Sequence, residues 1–382
     1  MPLVENGNDF VPNEEKYWLG FSRITGIGIV RLRRLMTYFE GLGNAWRAGA
    51  GDLLASGLEP KLVERTIAVR PTLNLDREMA RLQELGVSLL IQGGPSYPTR
   101  LAQAEGAPPL LYCKGKLLEQ DDLALAVVGT RQATAYGKQA TSQICSDLAA
   151  QGFTIVSGLA KGIDTAAHRA ALEAGGRTVA VLGCGVDVIY PSENRTLMAQ
   201  VIEHGAVLSE YPPGTQPDSS NFPPRNRIIS GISTGVLVVE AGIKSGALIT
   251  VSFATEQGRD VYAVPGSIFS KMSDGPNRLI RDGARVVTCA SDILEDLQVR
   301  PLVDLVEVKE LRGDNEVERL LLRLLNSGSG EGLHIDELGQ ESGLPIATVS
   351  STLTMMELKG MVNHLGAMKY AAARYTRTTR GV

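Results

Sequence analysis

Four turns of this 382-residue chain place cations where helices are expected to begin. Arg131 stands in GTRQAT (129–134), Lys161 in SGLAKGID (157–164), Arg225 and Arg227 in NFPPRNR (221–227), and Lys244 in AGIKSG (241–246). A helix N-terminus carries the positive end of the macrodipole, so a cation there is locally unfavourable in the free protein. One such position would be incidental; its recurrence in four turns points to a polyanion as the absent partner. The glycines beside these cations, Gly129, Gly158, Gly162 and Gly246, let phosphates approach main-chain amides. Phosphate binding is therefore the chemistry these residues offer, and SDGPNRLIR (273–281) adds Asn277, Arg278 and Arg281.

Other reactive groups fit structural roles more simply. Glu240 closes the apolar run GVLVVE, where it is either a catalytic carboxylate or an acceptor that organises the surrounding loop. His168 follows Asp164 by four residues and has no nucleophile beside it in the sequence; Asp164 itself is placed to N-cap a helix starting at Thr165. Ser157, Ser209 and Ser245 show no Ser-His-Asp arrangement. Cys113, Cys145, Cys184 and Cys289 are far apart and form no zinc-ligand pair, so they read as small buried apolar residues. No metal site and no cofactor are expected.

The elements that must position the cations come from the middle of the chain. Apolar runs at 87–91, 123–129, 153–158, 178–183, 206–210, 235–240 and 261–266 alternate with helical patterns. Most of them lack polar alternation, as strands buried on both faces of a parallel sheet do. The expected fold is α/β, a Rossmann-like doubly wound, mostly parallel sheet over residues 85–300, with the cationic turns at the carboxyl ends of its strands. Residues 1–84 read as a helical module, with a G-I-G turn like that of helix-hairpin-helix or sterile-alpha-motif units and Arg31, Arg33 and Arg34 on the next helix. A DNA contact and a plain packing module both fit it. Residues 301–313 read as a charged linker, 314–375 as a winged helix, and 376–382 as a disordered tail. The presumed recognition helix, IATVSSTLTMMELKG, holds one lysine, which suits docking to a partner at least as well as reading DNA.

The formal net charge of −4 argues against a globally basic nucleic-acid binder, so any phosphate site must be a local patch. No apolar run is long enough to span a bilayer, and the first residues lack a secretion signal, so the cytoplasm is the expected compartment. Neither G-x-G-x-x-G nor G-x-x-x-x-G-K-[ST] occurs. Cations spread over several successive loops suit an extended groove better than one pyrophosphate. Phe222 is either a face on which a base stacks or a loop anchor beneath Pro223 and Pro224. About four neutralised phosphates would give a salt slope near −3 for single strands.

Taken together, VVGTRQATAYG, IVSGLAKGIDTAAHRAALEAGGRTVAVLGCGVDVIYPSENRTL, LSEYPPGTQPDSSNFPPRNRIISGIS and VVEAGIKSGALITVSFATEQGRDVYAVPG resemble the DprA (Smf) family of bacterial DNA-processing proteins, over about residues 125–290. The resemblance implies a binder of single-stranded DNA and not an enzyme. It implies dimerisation through the Rossmann-like domain, protection of the strand, and help in loading the RecA recombinase. It carries DNA contact onto Gly129, Thr130, Arg131, Ser157, Gly158, Lys161, Gly162, Phe222, Arg225, Asn226, Arg227, Lys244, Ser245, Gly246 and Asn277, with Asp164 and Glu240 organising the loops. Thr130 stands where the family often has serine, which keeps a hydroxyl. The rival reading is a nucleoside monophosphate phosphoribohydrolase using Glu240, although the P-G-G-x-G-T-x-x-E signature is missing. A recombination scaffold without direct DNA contact is a third.

Overall fold

The computed structural model describes residues 14–299, 314–327, 332–359, 361–366 and 368–372. The expected linker at 301–313 and the expected tail at 376–382 lie outside the described residues.

Nine strands form one sheet: β1 (Val87–Ile91), β2 (Leu110–Gly115), β3 (Ala124–Val128), β4 (Thr154–Ser157), β5 (Thr178–Leu182), β6 (Ala206–Ser209), β7 (Gly235–Val238), β8 (Asp260–Ala263) and β9 (Arg285–Val286). Their order is β1-β2-β6-β5-β4-β3-β7-β8-β9. From β6 to β9 every pairing is parallel, whereas β2 runs antiparallel to both β1 and β6. Strands β3 to β7 are buried along their whole length, which is why their residues read as unbroken apolar runs. The chain leaves β3 in one direction through β4, β5 and β6, then returns to lay β7 on the other side of β3. That reversal opens a crevice at the carboxyl ends of β3 and β7, where open α/β sheets receive ligands.

Helices cover both faces of the sheet. Ala135–Ala150 and Ile163–Glu173 lie side by side over β3 and β4, with Ile144, Leu148, Ala167 and Ala171 buried between them and the strands. The other face holds Phe222–Ile232 and Ala247–Glu256, packed through Ile228, Ile229, Val251 and Ala254.

The helices between Glu15 and Glu84 do not form a separate core. Trp18, Phe21, Leu32 and Leu42 share one apolar cluster with Val87 and Tyr112 of the sheet edge and with Leu182 and Val201. Phe21 meets Trp46 edge to face at 5.0 Å. The G-I-G turn leads into the helix Ile29–Phe39, but its arginines bond locally: Arg31 pairs with Glu59 at 2.6 Å, and Arg34 donates to the Gly57 carbonyl.

The C-terminal segment has the winged-helix pattern. Helices Glu316–Ser327, Ile335–Ser342 and Ile346–Leu358 enclose Leu321, Leu338, Val349 and Leu353, and a small sheet is built from Leu333–His334, Val362–Gly366 and Lys369–Ala372. Lys359, the one lysine expected near the recognition surface, is held by Asp314 at 2.8 Å and Glu318 at 2.7 Å. Helix Ile346–Leu358 itself carries no lysine or arginine, and it exposes Ile346, Met355 and Leu358.

Candidate nucleic-acid interface

The loops after β3 and β4 interlock before any cation is placed. Gly162 has φ +81°, and a Cβ there would lie 2.3 Å from the Thr130 carbonyl oxygen. The Ile163 amide donates to that carbonyl at 3.2 Å, while the Thr130 amide donates to the Glu240 carbonyl at 2.7 Å. The Thr130 hydroxyl accepts from the Gln132 amide at 3.2 Å. Three loops are thereby tied together through their backbones.

The two carboxylates expected to organise these loops are buried within them. Glu240, 1 % exposed, accepts from the Thr134 amide at 2.9 Å and from the Thr134 hydroxyl at 2.5 Å. Thr134 in turn caps the helix Ala135–Ala150, and Gly137 leaves the space that the Glu240 carboxylate fills. Both Glu240 oxygens are therefore committed to the loop.

Asp164 departs from the expected N-cap. The helix begins at Ile163, with Gly162 as its cap residue, and the Asp164 carboxylate reaches back to the amides of Gly158 at 3.1 Å and Ala160 at 3.3 Å. Burial raises its pKa, opposed chiefly by the charge of Arg225. The Gly158 amide, expected to face phosphate, is thus already satisfied. Ser157 is buried and donates to the Val127 carbonyl at 2.6 Å, joining β4 to β3.

A cavity of 540 Å³ opens at the crevice, lined by Gly129, Arg131, Asn226, Ser245 and Gly246 among others, with Val128 and Ile229 contributing apolar surface. Phe222 and Tyr190 stand in its wall with ring centroids 5.6 Å apart and planes inclined by 31°. The Arg131 guanidinium lies 5.5 Å from the Phe222 centroid, within cation–π range, and is exposed with no carboxylate partner among the described residues. Asn226 donates to the Gly246 carbonyl at 3.3 Å, and the Ser245 hydroxyl accepts from the Ala247 amide at 3.3 Å, so both shape the turn after β7.

The five cations are not equivalent. Arg131 and Lys244 are exposed and have no carboxylate partner among the described residues. Lys161 pairs with Glu193, both side chains more than half exposed at 57 % and 60 %, so water and salt weaken that contact and the lysine remains exchangeable. Arg225 is 5 % exposed; it donates to the Gly158 carbonyl at 2.9 Å and also to that of Val181. Burial pulls its pKa down to about 10, against the opposing charge of Asp164, which leaves it protonated at neutral pH. Arg227 points elsewhere and meets both oxygens of Glu210 at 2.7 and 2.8 Å. The reason is helical geometry: positions two apart on Phe222–Ile232 are separated by about 200°, so Arg225 and Arg227 do not share a face.

Asn277 sits away from the cavity lining. Its side chain bonds the Gly266 carbonyl at 2.9 Å and the Gly266 amide at 3.2 Å, closing the loop after β8. Arg278 and Arg281 lie near Asp282 at 3.5 and 3.7 Å. His168 does not pair with Asp164; its Nδ1 meets the Thr178 hydroxyl at 2.6 Å, deep under the sheet. Cys113, Cys145 and Cys184 are buried as expected, but Cys289 is exposed at the start of the helix Ala290–Asp296. Among the described residues there is no cluster suited to a metal, and no helix is long and apolar enough to cross a membrane. Tyr190 and Glu193 were given no role from sequence, although both follow β5 and so end at the same sheet edge as the cationic turns.

Comparison with known proteins places this architecture. Residues 88–298 match the family model described as DNA recombination-mediator protein A, and residues 309–368 match the DprA winged helix domain. The Smf protein of Synechocystis is 37 % identical over 394 residues, covering 94 % of this chain and 98 % of the relative. DprA of Streptococcus pneumoniae is 48 % identical over 202 residues, covering 53 % of this chain and 71 % of the relative. The X-ray structure of Streptococcus pneumoniae DprA superimposes with a TM-score of 0.63 at 39 % identity, over 75 % of this chain and 98 % of that one. Helicobacter pylori DprA, solved for its single-stranded DNA binding mode, gives 0.50 at 30 % identity, over 56 % and 95 %. With a doubly wound sheet, a winged helix and matches that run nearly end to end, the chain belongs to the DprA/Smf family.

Proposed function

We propose that this chain binds single-stranded DNA along the carboxyl edge of its sheet, shields it, and passes it to the RecA recombinase during transformation or recombination. The observation that carries this reading is Arg131, an exposed guanidinium with no carboxylate partner among the described residues, set against Phe222 at the mouth of the 540 Å³ crevice. Lys161 and Lys244 flank it on the loops after β4 and β7, the strands on either side of β3. In this reading the three exposed cations contact phosphates, the Gly246 turn, with open space beside it, lets the backbone approach, and Arg225 contributes positive potential from beneath. Arg227 and Asn277 brace the surrounding loops. The DNA-binding relative from Helicobacter pylori supports the ligand class.

The reading includes a homodimer formed through the α/β domain and a surface for RecA. Sedimentation as a monomer at micromolar concentration would remove the first, and unaltered RecA filament formation on protected DNA would remove the second. The phosphoribohydrolase alternative is not favoured, because both oxygens of Glu240 are bonded to Thr134 in a buried position.

The direct test is a titration of single-stranded and duplex oligonucleotides of equal length. Preference for the single strand, with a clear loss in Arg131→Ala for every sequence tried, is the expected result. Equal affinity for duplex, or binding indifferent to Arg131, refutes it.

A further inference from the structure

The loop after β8 displays apolar surface that the DNA reading does not use. Ile268 is 80 % exposed and Phe269 92 %, more than any other large apolar side chain among the described residues. Ile243, on the loop after the neighbouring strand β7, is 55 % exposed. The two loops are joined through their backbones: the Ala241 amide donates to the Met272 carbonyl, and the Gly275 amide to the Ala241 carbonyl, both at 2.8 Å. Single exposed apolar residues need no explanation, but three on adjoining loops form a patch of the kind that marks a contact surface.

The turn keeps its shape without burying these side chains. Asn277 bonds both the carbonyl and the amide of Gly266 at its start, and Met272 is held by Ala241 at its end. Between them the Phe269 amide donates to the Ser267 hydroxyl at 3.3 Å, and the Ser270 amide to the Ser267 carbonyl at 3.0 Å. The apex therefore projects from a fastened base. Lys271 follows Phe269 by two residues and Lys244 follows Ile243 directly; both are exposed and have no carboxylate partner among the described residues.

Projection and charge together select the occupant. A side chain as bare as Phe269 touches almost nothing of its own chain, so a protein partner would have to bring a matching cavity. A bilayer interface yields to any protruding apolar shape, and cations beside that shape favour anionic lipid. We propose that the turn at Ile268 and Phe269 is a contact for an anionic phospholipid bilayer. The two side chains enter the boundary between headgroups and acyl chains, Lys271 meets lipid phosphates, and Lys244 adds positive potential. Two such side chains with a few cations give reversible attachment rather than anchoring. The crevice, whose lining includes Ser245 and Gly246 of the Lys244 loop, would then open close to the membrane.

The test is flotation of the full chain with vesicles of phosphatidylcholine alone and of phosphatidylcholine mixed with an equal part of phosphatidylglycerol. Wild type floats with the mixed vesicles, less as salt rises, and stays behind with the neutral ones. Ile268→Ser combined with Phe269→Ser weakens attachment about 100-fold, and Lys271→Gln weakens it about fivefold. Both variants keep the wild-type melting temperature and oligothymidine affinity, because these side chains are exposed and outside the DNA site. In Phe269→Trp, mixed vesicles shift the tryptophan emission to the blue beyond any shift in wild type. Vesicle attachment that is absent in wild type, or equal in the double serine variant, overturns the inference and leaves the DNA reading standing. So does a double serine variant that loses oligothymidine affinity, which would give the turn to DNA, or one that sediments at a lower mass than wild type, which would give it to a second copy of the chain. Failure to bind DNA with vesicle attachment intact overturns the DNA reading alone.

Discussion

The most discriminating perturbation of the proposed groove is salt, because the structure separates cations that reach solvent from those already spent. Arg131, Lys161 and Lys244 are exposed, whereas Arg225 is buried against carbonyls and Arg227 is paired with Glu210. Three phosphate contacts at about −0.7 each give a slope near −2 for log affinity against log salt, so a tenfold rise in salt weakens binding about 100-fold. Removing one contact with Arg131→Ala brings the slope to about −1.4, or about 25-fold per decade of salt. Arg227→Gln leaves the slope as it was. Glu193→Gln frees Lys161 from its competitor and removes a like charge from the DNA path, so affinity rises most at low salt. Anisotropy titrations of a labelled oligothymidine measure all four proteins. A wild-type slope of −3 or steeper would mean that Arg225 or Arg227 leaves its partners for DNA. A flat response, or one untouched by Arg131→Ala, would reject the rim altogether.

Two further outcomes concern the scaffold. His168 is fully buried, and burial, with Arg225 second, lowers its pKa to about 3. Its unfolded value is about 6.5, so below that pH the unfolded chain binds a proton that the native state refuses, and stability falls as pH falls through the window from about 6.5 to 3, by about 1.4 kcal/mol per unit. Urea midpoints at pH 7 and pH 5 should diverge less in His168→Gln than in wild type; equal divergence would show that the native histidine takes up the proton. Gly162→Ala forces a side chain into φ +81° and against the Thr130 carbonyl, which costs about 1–3 kcal/mol or more and lowers DNA affinity with it. A melting temperature equal to wild type would show that the two loops are not interlocked.

Much of the fold was legible because the strands nearest the crevice are buried on both faces and announce themselves as apolar runs. Strand β2, LLYCKG, follows two prolines in an otherwise irregular stretch, and β9 is only two exposed residues, so neither leaves a clear periodic trace. That the turns carrying Arg131, Lys161 and Lys244 follow β3, β4 and β7 was readable from the topology that those runs imply, although of these three only Arg131 lines the crevice. The partners of the cations were not readable. Glu193 lies 32 residues from Lys161 and Glu210 lies 17 from Arg227, separations that only tertiary structure closes. The N-cap expected at Asp164 failed because Gly162, with its positive φ, turns the chain earlier and lets the helix start at Ile163. Tyr190 was overlooked because an aromatic before a proline looks like any loop anchor until its exposure and its neighbour Phe222 are seen.

The close fit of Gly162 beneath Thr130 also constrains how descendants of this sequence can diverge. Lengthening or reshaping either turn alone would collide with the other, so a new backbone path requires two coordinated changes, the first of which is harmful by itself. Change would be easier in side chains that project outward without touching that contact, such as those of the exposed Arg131, Lys161 and Lys244. Ligand preference in this lineage would then drift by exchanging charge on a frozen frame.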